Sequence, residues 1–224
     1  FMRKEGGGLI CLTLEGDLCD QLDLRPQVAN NTSSMGTAFL ESIEAKEGVT
    51  TGISAADRAT TILAAVADGA RPSDLARPGH IFPLRARKGG VLRRPGQTEG
   101  SVDLALMANL KGAGVICEIM NDDGTMARMP DLEIFAKKHE LIIITVEDLI
   151  KYRHDREKLI TREVSGTPLP TKFGDFSMHL YKSHLDGKEH FALCYNWGDS
   201  PSDDEQGFDA VDEDVLVRVN SECL

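Results

Sequence analysis

The 224-residue chain predicts a layered α/β domain followed by a partial β-rich unit, and three observations carry that expectation. Short apolar, strand-like runs alternate with helix-like segments up to about residue 155. A polar stretch bearing Pro and Gly, TREVSGTPLP (161–170), then interrupts the pattern as interdomain linkers do. Beyond it the apolar segments continue without helices between them. The division expected is therefore a first domain over 1–155, a linker over 156–170 and the beginning of a second domain over 171–224. Hydrophobic residues make up 41% of the chain, enough for a packed core.

Taken in order, LICLTL (9–14) and TAFLESIEA (37–45) read as strands, the second by partial alternation. SAADRATTILAAVADG (54–69) reads as a helix. Ser54 with Asp57 makes a capping-box-like start, Ile62, Leu63 and Val66 form an apolar face, and Gly69 closes the end. EGSVDLALMANLKG (99–112) repeats the pattern with Val102, Leu106 and Leu110. GVICEIM (114–120) is a short strand, NDDG (121–124) a turn, PDLEIFAKKHE (130–140) a helix opened by Pro130, and LIIITV (141–146) a buried strand. A further helix starts near Thr145. After the linker, residues 175–183, 189–196 and 215–222 read as strands of a unit with nothing to pack its far side, so the second domain reads as truncated.

Charge and cysteine usage narrow the function classes. The net charge is −11, but residues 199–214 carry eight carboxylates and no base, which leaves −3 for the rest. That run is expected to be a solvated, mobile loop. No broad basic face suited to nucleic acid is visible. No apolar run reaches the eighteen or so residues of a membrane span. Cys11, Cys19, Cys117, Cys194 and Cys223 are odd in number, scattered, and without a Cys-x-x-Cys pair. They point to a reducing compartment, the cytoplasm, or a plastid if the source is a plant or alga.

The tripeptide Arg-Pro-Gly occurs twice, at 77–79 before His80 and at 94–96 before Gln97. Arg94, Pro95, Gly96, Gln97 and Thr98 lead into a helix, offering a guanidinium fork, a hydroxyl and free N–H groups to a phosphate monoester. A surface turn with Thr98 as N-cap explains the same residues. His80 emerges beside an apolar run and is either a proton-transfer group or a satisfied structural histidine. Glu118 interrupts an apolar strand and is either a costly buried carboxylate or one that alternation turns to solvent. Thr51 and Asp57 lie at a helix start where capping alone could account for them.

In their order and wording, GVTTGISAADRATTI (48–62), RPGHIFPLRARKGGVLRRPGQTE (77–99), SVDLALMA (101–108) and GVICEIMNDDGTMAR (114–128) resemble 3,4-dihydroxy-2-butanone 4-phosphate synthase. The resemblance covers roughly residues 1–155. LPTKFGDFSMHLYKSHLDGKEHFAL (169–193) and VLVRVNSECL (215–224) resemble the beginning of GTP cyclohydrolase II, which is fused behind the synthase in many bacteria and plants. The resemblance implies an enzyme of riboflavin biosynthesis that converts D-ribulose 5-phosphate to 3,4-dihydroxy-2-butanone 4-phosphate and formate with Mg²⁺ (or Mn²⁺). It implies a homodimer with active sites at the subunit interface. His80 and Glu118 match catalytic residues, Arg94 to Thr98 the phosphate turn, Cys11 a thiol lining the site, and Thr51 and Asp57 further substrate contacts.

The chain also departs from the pattern. Gln97 stands where the family has a metal-binding histidine, and nothing matches the acidic Arg-Glu-x-Glu-Gly-Asp-like segment that supplies the other ligand, so the chain reads as truncated at both ends. Arg218, Val219, Asn220, Ser221 and Glu222 match a GTP-contacting strand, with Asn220 in place of histidine. Cys223 matches the first of three zinc-binding cysteines, so Zn²⁺ is expected only in a complete second domain, and no cyclohydrolase activity is expected here. A catalytically degenerate synthase domain serving as a dimerisation scaffold, or a sugar-phosphate-binding module without turnover, are the alternatives to an active synthase.

Overall fold

A computed structural model describes residues 1–195 and 214–220. They fall into two compact units, one formed by Phe1–Leu159 with His184–Asp186 and the other by Ile160–Ser183 with Gly187–Leu224.

The first unit is built on a mixed four-stranded sheet of order β2-β3-β1-β4, from β1 (Cys11–Leu14), β2 (Ile43–Ala45), β3 (Leu75–Arg85) and β4 (Ala113–Ile116). β1 lies parallel to β3, and β2–β3 and β1–β4 are antiparallel. Five α-helices accompany it: α1 (Gly16–Gln21), α2 (Ala55–Val66), α3 (Gln97–Met107), α4 (Met129–His139) and α5 (Val146–Arg156). The layered α/β expectation holds. All four residues of β1 are buried, as befits a central strand covered on both faces. Leu12, Leu14, Cys19, Leu22, Ile43 and Ile81 form the middle of the core.

The helix starts follow their caps. The Ser54 hydroxyl accepts the Asp57 N–H and opens α2, and Thr145 with Asp148 forms a full capping box at α5. The faces differ from those expected. In α2 the buried residues are Asp57, Thr61 and Ala65, while Leu63 is exposed. In α3 Val102 is buried but Leu106 is exposed, and Leu110 lies exposed beyond the end of the helix. Small residues let a helix approach the sheet closely, so burial follows that approach rather than hydrophobicity alone.

Three strand expectations are corrected. LIIITV (141–146) forms no strand, and Ile142 is 91% exposed. An apolar run becomes a strand only where a ladder partner lies alongside, and β4 pairs only with β1 in the described sheet. The 37–45 run contracts to Ile43–Ala45, with only isolated bridges at Phe39 and Leu40 before it. Residues 215–220 carry no regular structure and are exposed, in place of the strand expected there.

The second unit is an antiparallel sheet of β5 (Ile160–Thr171), β6 (Gly174–Ser183) and β7 (Glu189–Tyr195), in that order. The stretch 161–170, expected as a linker, is thus strand β5. It occupies an edge of the described sheet, where Pro168 and Pro170 cost no ladder bond on the open side. His179 is buried against Ser165, Ser177 and the Gly166 N–H, and burial lowers its pKa. The acidic run expected to be mobile lies, apart from Asp214, outside the described residues.

Candidate functional site

The first Arg-Pro-Gly turn is an excursion from strand β3. Along β2, Ile43 and Glu44 are consecutive, yet their partners on β3 are Ile81 and Ala76. Residues 77–80 therefore loop out of the ladder as a bulge. Arg77 anchors the loop by ion-pairing with Glu41 at 2.7 Å and donating to the Leu22 carbonyl at 2.6 Å. Gly79 passes so close to the Ile43 carbonyl and the Glu44 nitrogen that a Cβ would overlap them. Gly79→Ala is accordingly expected to lower stability by about 3 kcal/mol or more, read as a fall in Tm against the parent chain; an unchanged Tm would show that the loop is not held against β2.

His80 ends this excursion with its side chain 44% exposed, its ring Nδ1 2.7 Å from Glu44 Oε2. The same oxygen accepts the His80 backbone N–H at 2.9 Å. Glu44 is itself only 13% exposed, and its other oxygen accepts the Thr61 hydroxyl at 3.4 Å. Of the two readings open for His80, the ring is both partnered and accessible.

On the other side of β1, Glu118 follows β4. Cys11 pairs with Phe82 and with Ile116, so His80, Leu9 and Glu118 all fall two residues beyond that row, at the same end of the sheet. Glu118 is exposed, which decides between its two readings, and Oε2 accepts the Leu9 N–H at 2.8 Å. Gly8 allows the contact, since a Cβ there would collide with the Glu118 carbonyl and side chain. Cys11, expected to line the site, is 3% exposed. Burial, then the charges of Glu118 and Cys117, push its thiol up to about 12, so it stays protonated and unreactive near neutrality.

Asp57 is spent on its own loop. Its carboxylate accepts the Thr50 hydroxyl at 2.8 Å and the backbone N–H groups of Thr50 and Gly52 at 3.2 and 3.0 Å. The Thr50 hydroxyl first, then those N–H donors, hold its carboxyl below the usual carboxylate range. What the clamp presents is Thr51, exposed at the loop's tip.

At the second Arg-Pro-Gly turn, Gly96 is the N-cap of α3 and supplies no side-chain cap. The helix-opening N–H groups are thus left to other acceptors. Pro95 and Gln97 are exposed; Thr98 is 6% exposed. Arg94 donates to Glu99 Oε2 at 2.7 Å, and Glu99, at 1% exposure, also accepts the Arg87 N–H at 3.1 Å.

Glu44 and Glu99 are the residues that sequence reasoning missed. Each left a faint signal, a carboxylate inside an apolar strand for Glu44 and one five residues after Arg94 for Glu99. Among the described residues no hydrogen bond or ion pair joins His80 or Glu118 to Arg94, Gln97 or Thr98. A cavity of about 730 Å³ lies elsewhere, lined by Arg87, Arg93, Asp103 and Arg153 among others and by none of the expected site residues. Arg218, Val219 and Asn220 are exposed; Ser221, Glu222 and Cys223 lie outside the described residues.

Comparison with known proteins bears on this arrangement. The family profile of 3,4-dihydroxy-2-butanone 4-phosphate synthase matches residues 1–152, and that of GTP cyclohydrolase II matches residues 161–224. The riboflavin biosynthesis protein RibBA of Aquifex aeolicus is 56% identical over 227 residues, covering 100% of this chain and 53% of the relative. A 3,4-dihydroxy-2-butanone 4-phosphate synthase of Neisseria meningitidis serogroup B is 49% identical over 98% of this chain and 57% of its own length. The chain thus spans about half the length of the curated relatives it matches. Among solved structures, RibBX, a two-domain 3,4-dihydroxy-2-butanone 4-phosphate synthase from A. baumannii, superposes with TM-score 0.79 at 49% identity, covering 86% of this chain and 56% of that one. A synthase in complex with two magnesium ions superposes with TM-score 0.67 at 38% identity over 70% of this chain and 78% of its own.

Proposed function

Because the chain belongs to the 3,4-dihydroxy-2-butanone 4-phosphate synthase family, we propose that it acts in riboflavin biosynthesis by converting D-ribulose 5-phosphate to 3,4-dihydroxy-2-butanone 4-phosphate and formate. The observation that carries the reading is the second turn. Arg94, fixed by a buried carboxylate, stands beside Thr98 and a helix start without a side-chain cap, a combination suited to a phosphate monoester. His80 and Glu118 are the acid–base groups for enolisation and for the later proton transfers, both exposed at one end of the sheet.

Magnesium enters through the magnesium-bound relative. In this chain the donor set is incomplete: Gln97 offers a neutral amide oxygen, and no three His, Cys, Asp or Glu side chains converge among the described residues. The described residues alone do not make a metal site.

A homodimer completes the picture. Among the described residues no hydrogen bond or ion pair joins the acid–base residues to the phosphate turn, a separation that suits a site finished by a second copy. Leu110, Ile134 and Ile142 are 66%, 71% and 91% exposed, apolar side chains that a second copy is able to cover. Among the described residues no helix is long and apolar enough to cross a membrane.

Formate release from ribulose 5-phosphate with Mg²⁺ tests the proposal, on the chain as it stands and as Gln97→His. Turnover with Gln97 intact supports the synthase reading. Gln97 itself favours one rival, a degenerate dimerisation scaffold for the attached unit. Turnover that appears only in Gln97→His supports that rival for the natural sequence. Ribulose 5-phosphate binding that weakens in Arg94→Lys, with no formate from any form, indicates a binding module.

A further inference from the structure

We propose that the cavity of about 730 Å³ at the end of the sheet opposite His80 and Glu118 is a binding site for a nucleoside diphosphate. Its phosphates lie on Arg87, Lys88 and Arg93, and its hydroxyl and amino donors on Glu15 and Asp17. The site goes beyond the synthase reading and does not depend on it.

The cavity lies where the parallel strands end. β1 and β3 both run toward it, and their last paired residues are Leu14 and Arg85. Glu15 to Asp17 follow β1 directly, Ala86 to Gly90 follow β3, and both stretches line the cavity. Loops leaving the carboxyl ends of parallel strands enclose a crevice, and open α/β sheets bind their ligands there. A volume of about 730 Å³ falls in the range of small-molecule sites, roughly 300–1,000 Å³, and is more than a lone phosphate fills.

The charges single out the ligand. The deeper cations are already spent: Arg153 donates to Asp103 at 2.7 Å, to the Gly89 carbonyl at 3.0 Å and to Glu157 at 2.6 and 2.7 Å. Arg85 is held by both oxygens of Asp20 at 2.7 and 2.9 Å. By contrast, the side chains of Arg87 and Lys88 have no hydrogen-bond or ion-pair partner among the described residues, and Arg93 reaches Asp186 only at 3.7 Å. A turn closed by the Gly90 N–H on the Arg87 carbonyl at 3.0 Å, with Gly89 and Gly90 at φ 95° and 61°, sets Arg93 on the same cavity as Arg87 and Lys88. Like charges gathered on one loop repel, and a polyvalent anion relieves that repulsion through charge-assisted hydrogen bonds.

The turn after β1 offers the opposite chemistry. The side-chain carboxylates of Glu15 and Asp17 accept no hydrogen bond among the described residues, which leaves them to the hydroxyl and amino donors of a nucleoside. Val102 and Leu106 of α3 give its uncharged body an apolar wall. Inorganic polyphosphate would leave both the carboxylates and that wall unused.

Equilibrium dialysis of the unaltered chain at about 0.15 M salt tests the site with ADP, GDP, CDP and UDP, and with inorganic pyrophosphate as the probe that lacks a nucleoside. At least one nucleoside diphosphate is expected to bind about tenfold or more tighter than pyrophosphate. The double variant Arg87→Gln/Lys88→Gln is expected to weaken that binding by about 10- to 100-fold, with Tm unchanged because both side chains are exposed and unpartnered. Leu106→Trp keeps every charge but fills the cavity, and is expected to weaken binding as much. Arg94→Lys, at the phosphate turn, should leave it within about twofold. Retention of none of the four nucleotides at millimolar concentration overturns the proposal, as does pyrophosphate bound as tightly as they are. A loss in Arg94→Lys equal to that in the double variant moves the binding to the phosphate turn and overturns it too. Binding that survives Leu106→Trp reduces the effect to attraction by surface charge, again against the proposal. If the double variant does not fold, Leu106→Trp decides alone.

Discussion

Glu99→Ala is expected to destabilise the first unit by about 3–5 kcal/mol, the cost of removing one partner from a buried ion pair. The carboxylate is 1% exposed, and its two oxygens hold Arg94 at 2.7 Å and the Arg87 N–H at 3.1 Å. Removing it takes from Arg94 its charged partner, leaving the Met35 carbonyl at 3.2 Å, and takes from the Arg87 N–H its acceptor. Arg94→Ala is expected to cost a comparable amount, because it leaves Glu99 charged and unpaired. The double variant should cost less than the two singles together, since neither partner is then left alone. Urea denaturation of the four proteins gives the cycle. Additive losses would mean that Arg94 and Glu99 act independently and that the fork is not held by its carboxylate. Under the proposed function the pair also serves phosphate binding, because a guanidinium held by Glu99 through one nitrogen and by the Met35 carbonyl through the other presents its remaining N–H groups without further loss of side-chain freedom.

The second large effect is on turnover. His80→Ala is expected to lower kcat for formate release by about 100- to 10,000-fold, the range typical of a lost general acid–base group. Its fold should survive, because the ring is 44% exposed and Gly79, which threads the loop against β2, is unchanged. Formate kinetics with a parallel thermal melt separate the two. Loss of turnover with an unshifted Tm assigns His80 to the chemistry. A loss of turnover matched by a collapse in Tm would assign it to the scaffold instead.

Much of the architecture was legible because its causes are local. Ser54 and Asp57 announce a helix start, since a hydroxyl three residues ahead of an N–H caps it in any setting. The apolar run before Glu15 announces a central strand, and β1 is buried throughout. Where local and distant causes disagreed, the distant ones won. Leu141 to Ile144 have the composition of a buried strand, but no ladder runs beside them in the described sheet, and they stay outside it. Pro168 and Pro170 have the composition of a linker, yet a neighbouring strand at an open edge drew them into β5.

The candidate site divides in the same way. The sequence by itself determined which chemical groups are available, an imidazole at 80, a carboxylate at 118, a guanidinium and hydroxyl at 94 and 98, and an amide at 97, because side-chain chemistry travels with the residue. It also determined the family, through motifs that occur in order along the first 152 residues. Only the tertiary structure decided which carboxylate attends which group. Glu44 precedes His80 by 36 residues and reaches it only because β2 and β3 pair with a shifted register. Cys11 became an unreactive buried thiol because β1 is covered on both faces, and Asp57 was consumed by its own loop. The physical reason is that hydrogen bonds and burial depend on distance in space, which the chain order constrains only over a turn or two of backbone.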